Sequence, residues 1–132
     1  MTGIDTNVLV RYLTQDDKEQ ASLANELFAS ASASKRLYIS TFVLLETIWV
    51  LRSVYETDFI TLGESLCKLC ASPRICVQDS KVVEAVLKDG IDKDYMDAFV
   101  VKAAELAGCD SFFTFDTRLA TKHRAATLLK RC

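Results

Sequence analysis

The feature that most restricts the fold of this chain is alternation: short runs of β-strand character are separated by longer stretches of helical periodicity. A helix between two strands carries the chain back to the end of the sheet it came from. That order therefore points to an α/β sandwich with a largely parallel sheet. Thr2 to Ile4 reads as a very short first strand, followed by a helical Asn7 to Leu13. Asp17 opens a second helix with Ala21, Ala24, Leu27 and Phe28 three and four residues apart, so the pair makes a helical hairpin. Leu37 to Ile39 is a second strand; Ser40 or Thr41 caps a strongly apolar helix reaching about Val54, and Asp58 caps the next. Pro73, the only proline, stops that helix before a strand at Ile75 to Val77. Ser80 to Leu87 is a helix ended by Gly90, and Asp94 to Ala107 one closed by Gly108. Phe112 to Phe115 is the clearest strand, and Thr127 to Leu129 a weaker edge segment.

A length of 132 residues suits one domain, and 50% hydrophobic with 26% charged residues excludes a disordered tail or a fibrous repeat. The apolar run Phe42 to Leu51 is broken by Glu46 and followed by Arg52, so no membrane span is expected. The opening Met-Thr-Gly-Ile-Asp lacks the basic and apolar regions of a secretion signal, and the expected location is the cytoplasm. Five cysteines (Cys67, Cys70, Cys76, Cys109 and Cys132) are then expected as free thiols. Cys67 and Cys70 share a helical face beside Leu66 and Leu69, as small buried hydrophobes do. One histidine, His123, is too few to complete a zinc site with them. Net charge is -2, but five basic residues and no acid follow Asp116. Arg118, Lys122, Arg124, Lys130 and Arg131 form the only basic segment. They read either as solvated helix charges or as a phosphate track, and His123 among them reads as a surface residue.

The acids are the unusual residues. Asp5 and Asp116 each follow a strand, and the carboxyl ends of parallel strands are where such sheets place their ligand crevices. Glu46 is the only charge between Leu37 and Leu51. Buried and alone it would cost several kcal/mol, so the sequence requires it to be paired, protonated, cation-bound or facing a cleft. Asp97 sits between Met96 and Ala98, with Asp94 one turn earlier as a candidate cap. If these acids converge, their repulsion is most simply relieved by a hard divalent cation, Mg²⁺ or Mn²⁺.

Gly3-Ile4-Asp5-Thr6-Asn7, Ser40-Thr41 with Glu46, Asp97-Ala98-Phe99 and Thr114-Phe115-Asp116, in this order, resemble a PIN-domain ribonuclease, specifically a VapC-type toxin. The resemblance covers nearly the whole chain. It implies a three-layer α/β/α fold with a central, mainly parallel sheet flanked by helices, forming one nuclease domain over residues 1–132. It also implies a Mg²⁺-dependent endoribonuclease of a toxin–antitoxin system, a homodimer inhibited by a VapB-type antitoxin and reaching DNA only through it. The family's catalytic acids fall on Asp5, Glu46, Asp97 and Asp116, with Asp5, Asp97 and Asp116 as metal ligands and Glu46 as outer ligand or base. Thr6, Asn7 and Thr114 are then supporting hydrogen-bond partners, with Asp94 beside them. The chain departs from the pattern after its last aspartate, at Thr117-Arg118-Leu119, so RNA contacts by Arg118, Lys122 and Arg124 rest on charge alone.

Rival readings are a PIN-like module that binds metal or RNA with little or no turnover, and a phosphatase with an aspartate nucleophile. The phosphatase needs a second acid two positions after the first, where this chain has Asn7. A phosphate-accepting receiver domain groups acids in the same way and would differ by forming a phosphoaspartate.

Overall fold

Short polar side chains set where the helices begin. In a computed structural model that describes residues 1–131, Asp5, Asp17, Ser40 and Asp58 each accept a hydrogen bond from the backbone N–H three residues on. Such caps satisfy N–H groups that have no partner in the first helical turn. They open α1 (Thr6–Thr14), α2 (Lys18–Ser30), α3 (Thr41–Ser53) and α4 (Phe59–Ala71), against β1 (Thr2–Gly3), β2 (Leu37–Ile39) and β3 (Ile75–Val77). The chain then continues through α5 (Ser80–Asp89), α6 (Tyr95–Leu106), β4 (Phe112–Thr114), α7 (Thr117–Lys122) and β5 (Ala126–Leu128).

Two compact units result, Met1–Ser80 and Lys81–Cys132. The first holds a three-stranded sheet in the order β1-β2-β3, with Thr2 opposite Leu37 and Leu37 opposite Ile75. The second holds β4 beside β5, with Phe112 opposite Ala126. Every observed pairing is parallel, as the alternation of strands and helices requires. The core of the first unit is aliphatic: Leu9, Leu37, Ile39, Leu44, Ile48, Leu62 and Leu66 are fully buried. In the second, Val101, Leu119 and Ala126 form a small cluster against which Phe112 and Ala125 pack.

The helix α6 ends as its glycine predicts. Gly108 has φ +89°, its N–H bonds the Glu105 carbonyl and the Cys109 N–H bonds that of Ala104, the paired closure of a Schellman motif. Most element bounds differ from the sequence reading by only a residue or two; the exception is α7, which that reading does not contain.

Three expectations about individual side chains are corrected. Cys67 is exposed and Cys70 only half-buried, because the buried stripe of α4 is Leu62, Leu66 and Leu69 and the cysteines lie beside it. Cys67, Cys76 and Cys109 are free thiols, as expected; Cys132 lies outside the described residues. His123 is half-buried at the C-cap of α7 rather than on the surface, its Nε2 buried without a hydrogen-bond partner among the described residues. Among the described residues, no helix is long and apolar enough to cross a membrane.

Candidate metal centre

Two strand-to-helix junctions are built alike. In each, a parallel strand ends, one residue intervenes, and an aspartate caps the following helix. Asp5 Oδ1 accepts from the Val8 N–H at 3.0 Å. Asp116 Oδ1 accepts from the N–H groups of Arg118 and Leu119 at 2.9 and 3.1 Å. Both caps use only Oδ1, and among the described residues Oδ2 takes no hydrogen bond in either. Each carboxylate is thus oriented through one oxygen and keeps the other for a ligand.

The neighbouring polar residues divide by role. Thr114 supports Asp116 directly, its Oγ1 accepting the Asp116 N–H at 3.0 Å. Thr6 is buried at the first position of α1. Asn7 is exposed and lines, with Asp5, Arg11, Gln20 and Leu23, a concavity of about 330 Å³.

Glu46 lies on the exposed face of α3 between Phe42 (83% exposed) and Trp49 (57%), while Leu44, Thr47, Ile48 and Leu51 face the core. Its apolar sequence neighbours made it look buried; several of them are themselves at the surface, so its charge is solvated and needs no partner. Asp97 is half-buried in the first turn of α6. Among the described residues, neither the Glu46 nor the Asp97 side chain takes part in a hydrogen bond or ion pair.

Asp94 does not cap α6. It stands at the N-cap position with φ −99° and ψ 23° and makes no side-chain cap bond. Its Oδ2 instead receives Arg118 Nη2 at 2.8 Å and Lys122 Nζ at 3.3 Å. Lys122 Nζ also meets Asp92 Oδ2 at 2.7 Å, and Asp92 Oδ1 accepts the Asp94 N–H at 2.8 Å. The hydrogen bond from Lys122 holds the Asp92 carboxyl below its ordinary range, and Asp92 in turn raises the Lys122 ammonium. Arg124 is exposed and lines, with Lys122 and His123, a cavity of about 340 Å³ in the second unit.

The first unit thus carries Asp5 and Glu46, and the second Asp97 and Asp116. In neither unit do three Asp, Glu, His or Cys side chains of the described residues gather closely enough to hold a metal ion. The chemistry of the donors nevertheless fits a hard divalent cation: all are carboxylates, none is paired with a protein cation among the described residues, and two have one oxygen already oriented. Sequence reasoning missed Asp92 and the pairing role of Asp94. The spacing Asp92-Lys93-Asp94 opposite Arg118 and Lys122, four apart on one helical face, is the signal that would have found them.

The PIN domain model matches residues 4–124, and the chain belongs to that family, whose members are generally metal-dependent nucleases. The match runs through both units. Comparison with curated proteins and with solved structures returns no significant match.

Proposed function

We propose that this chain is a Mg²⁺-dependent endoribonuclease, the VapC-type toxin of a toxin–antitoxin pair, in which both units serve one nuclease domain. One observation carries the reading: in a chain of this family, Asp5, Glu46, Asp97 and Asp116 make no ion pair among the described residues, while Asp92 and Asp94, a few residues before Asp97, are engaged by cationic side chains. Acids left unpaired beside available cations suit a site that takes its positive charge from solution. Asp5, Asp97 and Asp116 hold the ion, Mg²⁺ or Mn²⁺, and Glu46 stands at the outer shell or as base. Bound there, a divalent cation supplies neutralisation of phosphate charge and acidification of a water. Asp5 and Asp116 are kept in place by their helix N–H groups, so they need little reorganisation when the ion arrives. In the base role, Glu46 would take the proton of a water that forms a new P–O bond as the P–O bond on the opposite side breaks, and the leaving oxygen would take a proton from solvent.

The partners follow from the same reading: RNA as substrate, a second copy of the chain, and a VapB-type antitoxin that reaches the acids with an arginine or lysine in place of the ion. The exposed Phe42, Trp49, Val54 and Ile60 support a protein partner on α3 and α4. The location is the cytoplasm, where RNA is met.

The test is RNA cleavage by purified protein with Mg²⁺ or EDTA, together with 5′-end mapping of cellular RNA after brief induction. Cleavage that needs Mg²⁺ and is lost in Asp5→Asn and Asp97→Asn supports the reading. Metal-independent cleavage, or cleavage untouched by these substitutions, overturns it.

A further inference from the structure

The helix α7 is six residues long and Leu119 is its buried residue. So short a helix does not hold itself together, and one side chain is little anchorage. Yet this helix carries Asp116 as its cap. Arg118 and Lys122, one turn apart on the helix, both reach the segment that leads into α6, where Asp97 lies in the first turn.

The details show what the segment gives up for this. Asp94 occupies the N-cap position of α6 without capping it, which forgoes the stabilisation a cap would give the helix. Its side chain is 18% exposed and its Oδ2 is shared by both cations. Asp92 folds its Oδ1 back onto the Asp94 N–H, which stiffens the turn, and offers Oδ2 to Lys122. The turn that opens α6 is therefore cross-linked by charge-assisted bonds to both ends of α7, through Arg118 near its start and Lys122 at its last residue.

We propose that Arg118 and Lys122 are positioning residues: paired with Asp94 and Asp92, they fix α7 against the start of α6 and so hold Asp116 in register with Asp97. The pairing also keeps two cations away from carboxylates that would otherwise attract them in place of a metal ion. This assigns Arg118 a partner within the protein where its charge alone suggested RNA phosphate. The inference rests on the nuclease reading above, because register between two ligands matters only if they share an ion.

A double-mutant cycle on the full chain separates the possibilities, using Asp94→Ala, Arg118→Ala and the double variant. Two quantities are read: the Mg²⁺ concentration giving half of the metal-induced shift in melting temperature, without RNA, and kcat and KM for RNA cleavage. Each single variant is expected to raise the Mg²⁺ requirement about tenfold and to lower kcat, with KM little changed. The double variant should be no worse than Asp94→Ala alone, since that substitution already removes the Arg118 pair along with the weaker one to Lys122. Arg118→Lys, which keeps the charge but loses the fork, should recover part of the loss. A variant that does not fold is excluded by its circular dichroism, and Arg118→Lys against Asp94→Asn then carries the same cycle. The proposal is overturned if Arg118→Ala raises KM and flattens the salt dependence while Asp94→Ala behaves as wild type, the signature of phosphate contact. It is equally overturned by additive effects. A wild type with neither Mg²⁺-dependent melting nor RNA cleavage would instead sink the nuclease reading itself.

Discussion

The junctions at Asp5 and Asp116 use one device with two kinds of anchorage. Behind Asp5, α1 is tied into the core by Thr6, Leu9 and Val10, all buried. Behind Asp116, α7 buries Leu119 against Val101 and Ala126, lies beside β4 and β5, and is further held by the ion pairs of Arg118 and Lys122. Apolar burial is insensitive to ionic strength and has no pH dependence of its own, whereas exposed ion pairs depend on both. Similar carboxylate geometry has thus been reached through a rigid mount and a conditional one.

The largest effects should be equal at the two junctions. Asp5→Asn and Asp116→Asn are each expected to lower RNA cleavage by about 10²-fold or more, since on the proposed reading each removes a charged ligand whose orientation the helix N–H groups had fixed. Single-turnover rates at saturating Mg²⁺ measure this. A variant at one junction that cleaves like wild type would show that only the other belongs to the site.

Next in size is the difference in mounting. Leu9 is fully buried, and Leu9→Ala is expected to cost about 2 to 5 kcal/mol in urea unfolding. The clamp substitution Lys122→Met removes an exposed pair with Asp92 and a longer contact with the less exposed Asp94, each worth about 0.2 to 1 kcal/mol. If Lys122→Met destabilised the protein as much as Leu9→Ala, the contrast between a hydrophobic and an ionic mount would fail.

Much of the first junction was legible in the sequence and much of the second was not, for a physical reason. Thr6 to Thr14 is long enough to show helical spacing of Leu9, Val10 and Leu13, and Asp5 before it is both an acid and a cap. Thr117 to Lys122 is shorter than two turns and has no periodicity to read, so Asp116 looked like a strand-end acid and the basic residues after it like a tail. Pairing of Arg118 with Asp94, 24 residues earlier, shows only in the matched spacing of distant charges, which no local periodicity announces. Glu46 erred in the other direction. Its neighbours Phe42 and Trp49 are apolar in sequence but exposed in the structure, and composition alone does not separate the two faces of α3. Gln15, which ends α1 in the left-handed region at φ 59°, likewise carries none of the signal a glycine would give.

A smaller effect sharpens the comparison through salt. Raising NaCl from about 0.05 to 1 M shortens the screening length from roughly 14 to 3 Å and weakens the clamp without weakening apolar burial. Amide exchange at Leu119 and Ala120 should therefore accelerate several-fold while Leu9 and Val10 stay protected. Equal protection at both salt concentrations would mean that the packing of Leu119 holds α7 without help.

The smallest effect is in pH: both units carry an acid limb, and the second adds an alkaline one. Near α1, a hydrogen bond from the Tyr55 hydroxyl, with lesser help from Thr14 and Arg11, lowers the pKa of Asp16. The stability this gives is present above the ordinary Asp value of 3.8 and is lost as pH falls through the lower folded value. Asp92 follows the same rule in the clamp, with the hydrogen bond from Lys122 as its main cause. Lys122 runs the opposite way: its folded pKa lies above 10.5, so its contribution is complete below that value and disappears as pH rises through the folded one. The clamp should thus weaken at both extremes, while the Asp16 network near α1 contributes an acid limb. Melting temperatures of wild type and Lys122→Met are expected to differ at pH 7 and to converge above the Lys122 pKa. Tyr55→Phe should leave that alkaline convergence in place and alter only the acid side. A difference for Lys122→Met that persists undiminished past that pKa would show that its side chain acts through packing rather than charge, and the ionic account of the second mount would fall with it.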